Sequence, residues 1–204
     1  MQIIQKYFKN LTEKQYNQIA KLPILYKFWN EKINVISRKD INYIEIHHIL
    51  HSLSIGKIIN FKDKTKILDI GTGGGFPGIP LAILYPKCNF VLVDSIGKKI
   101  KVVNNIIEEI GIQNCIALNL RAENLDQKFD FIVSRAVTNM SKFKSYAKGK
   151  INMKQKNKLK NGILYLKGGD LEKELSNIDY QIYNISDYFD EIFFKTKKII
   201  HIKN

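Results

Sequence analysis

The sequence predicts an α/β fold: a mainly parallel, seven-stranded sheet with helices on both faces, preceded by a helical extension. Two observations carry this. From Lys66 onward, short β-rich apolar runs alternate with amphipathic stretches, the pattern of a parallel sheet covered on both sides. The first run is followed at once by Gly71, Gly73, Gly74 and Gly75, which places a sharp turn between a strand and a helix. Expected strands are 66–70, 89–94, 114–120, 129–134, 162–168, about 180–185 and 197–202. Helices are expected near 78–85, 97–110, 140–150 and 170–177.

Residues 1–60 read as an N-terminal helical extension and residues 61–204 as the sheet-bearing domain. In the extension, Thr12-x-x-Gln15 is a capping box worth about 1 kcal/mol. Tyr16, Ile19 and Leu22 follow at helical spacing, and Pro23 is expected to end or kink that helix before Ile24 to Ile33 resumes it. Ile46, Ile49, Leu50 and Leu53 mark a further amphipathic helix.

A chain of 204 residues with 45% hydrophobic content supports one domain with an appendage and a full core. It shows no signal-peptide pattern and no apolar run of membrane length, so a cytoplasmic protein without a membrane partner is expected. No obligate protein partner is evident. Cys88 and Cys115 lack metal-ligand spacing and read as reduced thiols. The formal net charge of +14 points to a polyanionic partner, most simply nucleic acid, although a Lys-, Ile- and Asn-rich composition also follows from an AT-rich genome. Against that lysine bias, the three arginines, Arg38, Arg121 and Arg135, mark positions where a planar, multi-donor fork has a use.

The glycine turn carries the chemistry. Read as Asp69-x-Gly71-x-Gly73-x-Gly75, it fits the S-adenosylmethionine turn of Rossmann-like class I methyltransferases; read as Gly73-x-Gly75-x-x-Gly78, it fits a dinucleotide fingerprint. Pro77 suits a first helical turn. Asp94 closes the next apolar run, where an acid meets ribose hydroxyls in nucleotide-binding α/β folds. Asp69 favours the first reading, because a carboxylate near the turn suits a cationic ligand and repels a pyrophosphate.

Two further features have both bland and functional readings. Between Ser141 and Asn161 stand Lys142, Lys144, Lys148, Lys150, Lys154, Lys156, Lys158 and Lys160 without an acid. That is a solvated helix face, or a phosphate-tracking surface with Phe143 and Tyr146 as stacking groups. His47 and His51 stand i, i+4 but lack further ligands nearby, so a packing role is expected and no metal.

The chain resembles the RsmG (GidB) family of bacterial small-subunit rRNA methyltransferases over most of its length. The strongest block is Leu68-Asp-Ile-Gly-Thr-Gly-Gly-Gly-Phe-Pro-Gly-Ile-Pro-Leu81. Others are Phe28-Trp-Asn30, Ser37-Arg38, His48-Ile-Leu50, Val93-Asp-Ser-x-Gly-Lys98, Arg121-Ala-Glu123, Ser134-Arg-Ala136 and Leu166-Lys-Gly168. The resemblance implies S-adenosyl-L-methionine as cofactor and N7 of a guanosine in 16S rRNA, free or in a ribosomal particle, as acceptor. It also implies cofactor contacts from Gly71 and Phe76, ribose binding by Asp94, and adenine framing by Ala122 and Glu123; Gly73 and Gly75 are expected to bind the cofactor because the turn must approach it closely. Arg135 would stand at the methyl-transfer site or a substrate phosphate. One departure is His51, where the family usually has Asp.

N7 of guanine carries a free lone pair, so the reaction needs alignment rather than a general base. In A-form RNA that atom faces a groove too deep and narrow for side chains, so the acceptor is expected in a loop or flipped out. Two other classes share some features: a nicotinamide-dependent oxidoreductase, for which no Tyr-x-x-x-Lys pattern is found, and a non-catalytic RNA-binding protein on the same scaffold.

Overall fold

The computed structural model describes residues 1–135, 140–169, 171–176 and 178–203. Ala136, in the Ser134-Arg-Ala block, and positions 170 and 177, at the bounds of one expected helix, lie outside them.

The chain begins with α1 (Gln2–Tyr7) and α2 (Glu13–Lys32). The predicted capping box opens α2: the Gln15 N–H donates to Thr12 Oγ1 at 3.3 Å, and the Thr12 N–H donates to Gln15 Oε1 at 2.9 Å. Pro23 does not end α2. Ile19, Leu22 and Tyr26 are fully buried along one face, and their packing outweighs the roughly 3 kcal/mol that an internal proline costs. The stretch near 46–53 begins as wide π-type turns over Glu45–Leu50 and continues into α3 (His51–Leu53) and α4 (Ile55–Ile58). Ile49, Leu50 and Leu53 are buried, as their spacing predicts.

The sheet is built from β1 (Lys66–Ile70), β2 (Asn89–Asp94), β3 (Cys115–Asn119), β4 (Phe131–Arg135), β5 (Gly162–Gly168), β6 (Gln181–Asn184) and β7 (Lys197–Lys203). Their order is β3-β2-β1-β4-β5-β7-β6. The first five run parallel, and β7 runs antiparallel to both β5 and β6. Successive strand residues point to opposite faces, and both faces are covered. Ile67, Phe90, Leu92, Phe131 and Val133 pack beneath the N-terminal helices, α5 (Gly78–Leu84) and α6 (Gly97–Glu109). Leu68, Ile70, Val91, Val93 and Ile132 pack with α7 (Met140–Ala147) and α8 (Glu172–Leu175). The strand expected at 129–134 starts two residues later. Asp130 instead uses its carboxylate to cap β1, accepting from the Lys66 N–H at 2.8 Å.

The lysine stretch is not one helix. It leaves α7 at Ala147 and continues as irregular chain from Lys150 to Asn161. Lys150 is buried and donates to the Leu125 carbonyl at 2.6 Å. Lys156 donates to the Lys64 carbonyl at 2.6 Å and pairs with Asp130 at 2.8 Å. These contacts place 150–161 at the N-terminal edge of β1 and β4. Phe143 is fully buried, its ring stacked on Tyr165 at 4.6 Å between centroids, so it is core and not a base-stacking group.

Candidate active site

β1 and β4 are neighbours, yet the chain between them runs out through β2 and β3 on the other side. At such a switch point a crevice opens beyond the carboxyl ends of the strands. A cavity of about 470 Å³ lies there, within the size range of small-molecule sites. Of the predicted residues, it is lined by Gly71, Gly73, Phe76, Asp94, Ala122, Glu123 and Arg135. These come from the ends of four strands, β1 to β4, and the turns after them. The extension contributes Val35, and α7 contributes Tyr146.

Gly75 is not among the lining residues, and its role differs from that of Gly73. Its φ is +93°, and an added Cβ would lie 2.6 Å from Ile79 Cδ1; it lets the turn close onto α5. Gly73, at φ +59°, has no atom within 4 Å of such a Cβ. There the bare backbone faces the cavity, open for a ligand to approach.

Asp69 corrects the electrostatic argument made from the sequence. It is fully buried and does not line the cavity. Its Oδ2 accepts from Thr72 Oγ1 at 2.7 Å and from the Gly78 N–H at 2.8 Å. The carboxyl thus braces the turn from behind. Burial pushes its pKa up to about 7, against the hydrogen bonds from Thr72 and Gly78 and the charge of Arg135.

Asp94 stands at the end of β2, as predicted. Its Oδ2 accepts from the Gly73 N–H at 2.9 Å and its Oδ1 from the Ile96 N–H at 2.9 Å. Two backbone donors fix the carboxylate, and each oxygen retains further acceptor capacity. Beyond β3, a short turn over Ala122–Asn124 sets Ala122 inside and Glu123 at the surface.

Arg135 closes the far end of the cavity. Its Nη1 donates to the His47 carbonyl at 3.1 Å, and its Nη2 lies 2.8 Å from His48 Nδ1. The guanidinium sits 5.1 Å from the centroid of the Phe76 ring. Burial lowers its pKa to about 10, so it stays cationic at neutral pH. The sequence pointed to Arg135 but not to the residues that hold it. Nor did it single out Tyr26, whose hydroxyl reaches from α2 to donate to the Gly74 carbonyl. His48 stood within a motif block, which was the only signal available. His47 Nδ1 is engaged by Asp40 at 2.8 Å. His51 is buried against Phe193 and Phe194, and burial holds its pKa well below the usual histidine range.

Comparison with known proteins follows this geometry. A family model described as "rRNA small subunit methyltransferase G" (GidB) matches residues 15–200. The ribosomal RNA small subunit methyltransferase G of Flavobacterium johnsoniae is 55% identical over 99% of this chain and 97% of its own. That of Cytophaga hutchinsonii is 51% identical over 99% of each. Among solved structures, a precorrin-6y C5,15-methyltransferase from Geobacter metallireducens superposes with a TM-score of 0.57 at 12% identity, covering 84% of this chain and 92% of that one. A SAM-dependent methyltransferase from Aquifex aeolicus gives 0.56 at 13%, covering 75% and 89%. At such identities these two show the fold alone.

Proposed function

Because the chain belongs to the rRNA small subunit methyltransferase G family, we propose that it transfers the methyl group of S-adenosylmethionine to N7 of a guanosine in small-subunit rRNA. The observation that carries this reading is the cavity at the switch point, with an unobstructed Gly73 on its floor and a backbone-anchored Asp94 on its wall. Those residues fit an adenosyl group. Asp94 accepts from the ribose hydroxyls, Gly71 and Phe76 touch the cofactor, and Ala122 and Glu123 frame the adenine. Gly75 shapes the turn that makes those contacts possible. The cofactor supplies an electrophilic methyl group. The protein aligns donor and acceptor and keeps Arg135 charged at the transfer end, where the guanidinium meets the acceptor base or its phosphate. No side chain is needed as a base, since N7 holds no proton.

The division of labour we favour is an extension, 1–60, that walls the reaction end, and a domain, 61–204, that holds the cofactor. Among the described residues no helix is long and apolar enough to cross a membrane; we place the protein in the cytoplasm, with the RNA it modifies. Two measurements test the proposal. Calorimetry should detect S-adenosylmethionine and not NAD. Mapping of methylated guanines in small-subunit rRNA, with and without the protein, should show one position that depends on it. Binding of NAD in place of S-adenosylmethionine would return the nicotinamide reading, and cofactor binding without any new methylated guanine would leave another acceptor to be found.

A further inference from the structure

Arg135 ends β4 with its guanidinium turned towards the extension. Arginine has five N–H donors and no acceptor, so the nitrogen of His48 facing it at 2.8 Å must offer a lone pair. Nδ1 is therefore unprotonated, and the proton of a neutral ring sits on Nε2. Burial keeps the ring neutral, and the Asp40 carboxylate, its Oδ2 3.8 Å from Nε2, favours the proton on that nitrogen. Phe76 packs edge-on against the His48 ring at 5.1 Å between centroids. The same Phe76 ring lies beneath the guanidinium and lines the cavity.

The second acceptor is held as firmly. The His47 ring is stacked between Phe193, at 4.0 Å, and Tyr43, at 5.0 Å, and its Nδ1 meets Asp40. That clamp fixes the backbone whose carbonyl accepts from Arg135. The wide turns over Glu45–Leu50 bring His47 O and His48 Nδ1 to bear on one guanidinium; π-type turns of this kind often occur at functional sites.

We propose that His48 is a positioning residue for methyl transfer: through Nδ1 it holds the Arg135 fork in place beside Phe76, so that the extension sets the orientation of a charged group at the reaction end. This rests on the rRNA methyltransferase reading for its kinetic consequence and on geometry alone for the contact. Both partners of the fork are uncharged, so they orient the guanidinium without neutralising it.

Two variants of similar size separate orientation from packing. His48→Asn places an amide oxygen as many bonds from Cβ as Nδ1. His48→Gln places it where Nε2 stands and leaves the fork without its acceptor. We expect His48→Asn to keep kcat within about threefold of wild type and His48→Gln to lower it at least about tenfold, the weight of a hydrogen bond to a charged group. S-adenosylmethionine affinity should hold in both. With three arginines in the chain, nitrogen NMR of labelled protein reads the fork directly: restricted rotation of the Arg135 guanidinium in wild type and His48→Asn, and faster rotation in His48→Gln, where only the His47 carbonyl still accepts from it. Equal kcat for Asn and Gln, or a guanidinium equally restrained in both, overturns the proposal. A wild type that shows the NMR pattern but methylates no rRNA overturns the functional reading and leaves the contact standing.

Discussion

Asp94 was legible as an acid at a strand end because it closes an apolar run, and the structure adds that two backbone N–H groups aim it and that it lines the cavity. Hydrogen bonds from ribose hydroxyls to a carboxylate are charge-assisted, about 1.5–3 kcal/mol each. Asp94→Ala should weaken S-adenosylmethionine at least about tenfold by calorimetry; unchanged affinity in the folded variant would remove the ribose assignment. Asp69 was legible as an acid near the turn but not as a buried one, since burial depends on α5 and β2 packing over it. Its pKa in the folded state, about 7, lies above the ordinary 3.8. The folded chain therefore keeps a proton that the unfolded chain releases between about pH 4 and pH 7. Asp69's contribution to stability is fullest below pH 4, falls through that window by up to about 1.4 kcal/mol per pH unit, and levels above pH 7. Asp69→Asn is an uncharged isostere and should lack this fall. Urea midpoints of the two proteins should diverge from pH 4 to pH 7 in favour of the variant, and parallel curves would show that Asp69 ionises freely.

The glycine turn shows what a motif specifies and what it leaves open. Its spacing announced strand, turn and helix, and β1 and α5 stand where it put them. It did not distinguish a glycine that faces the cavity from one that meets protein, because that depends on Ile79 one helical turn on. Gly73→Ala faces open space and bears only the strain of positive φ, about 1–2 kcal/mol. Gly75→Ala adds overpacking against Ile79 and should lose about 2–4 kcal/mol. Cofactor affinity should rank the other way, with Gly73→Ala weakened at least about tenfold in a protein that remains folded at 25 °C. Denaturant midpoints and calorimetry on both variants check the ranking; the larger loss of stability at Gly73 would mean that the turn is not built as described. The start of α2 was read from its cap at Thr12 with equal success. Pro23 does not end α2, because core packing decides what a helix tolerates, and the wide turns over Glu45–Leu50 have no spacing signature.

Across the whole molecule, the sheet was legible from the alternation of apolar and amphipathic runs, and charge was legible only as a total. Where the +14 resides depends on which strand edge each lysine reaches. The run at Lys150–Lys160 stood out by density, yet Lys150 is spent on the Leu125 carbonyl, and Lys156 on the Lys64 carbonyl and on Asp130 at the edge away from the cavity. Exposed Lys154, Lys158 and Lys160 share that edge. Less conspicuous cations stand next to cavity-lining residues in the chain: exposed Arg38 and Lys39 follow Val35 by three and four residues, and exposed Lys98 precedes the lining Lys99. RNA whose target base enters the cavity must lay its phosphates near the second set. Changing Arg38, Lys39 and Lys98 together to Gln should lower the log–log salt slope of RNA binding by about 2, from about 0.7 for each single-strand phosphate contact. Lysine–phosphate contacts position without reading sequence, so the loss should be the same for unrelated RNAs. The triple change of Lys154, Lys158 and Lys160 to Gln removes the same charge from the chain and should leave the slope nearly as it was. Binding isotherms over a salt series decide between the sets. Equal flattening by both would mean that net charge alone governs RNA affinity, and flattening by the Lys154, Lys158 and Lys160 change only would put the RNA on the edge opposite the cavity and break the link between docking and catalysis.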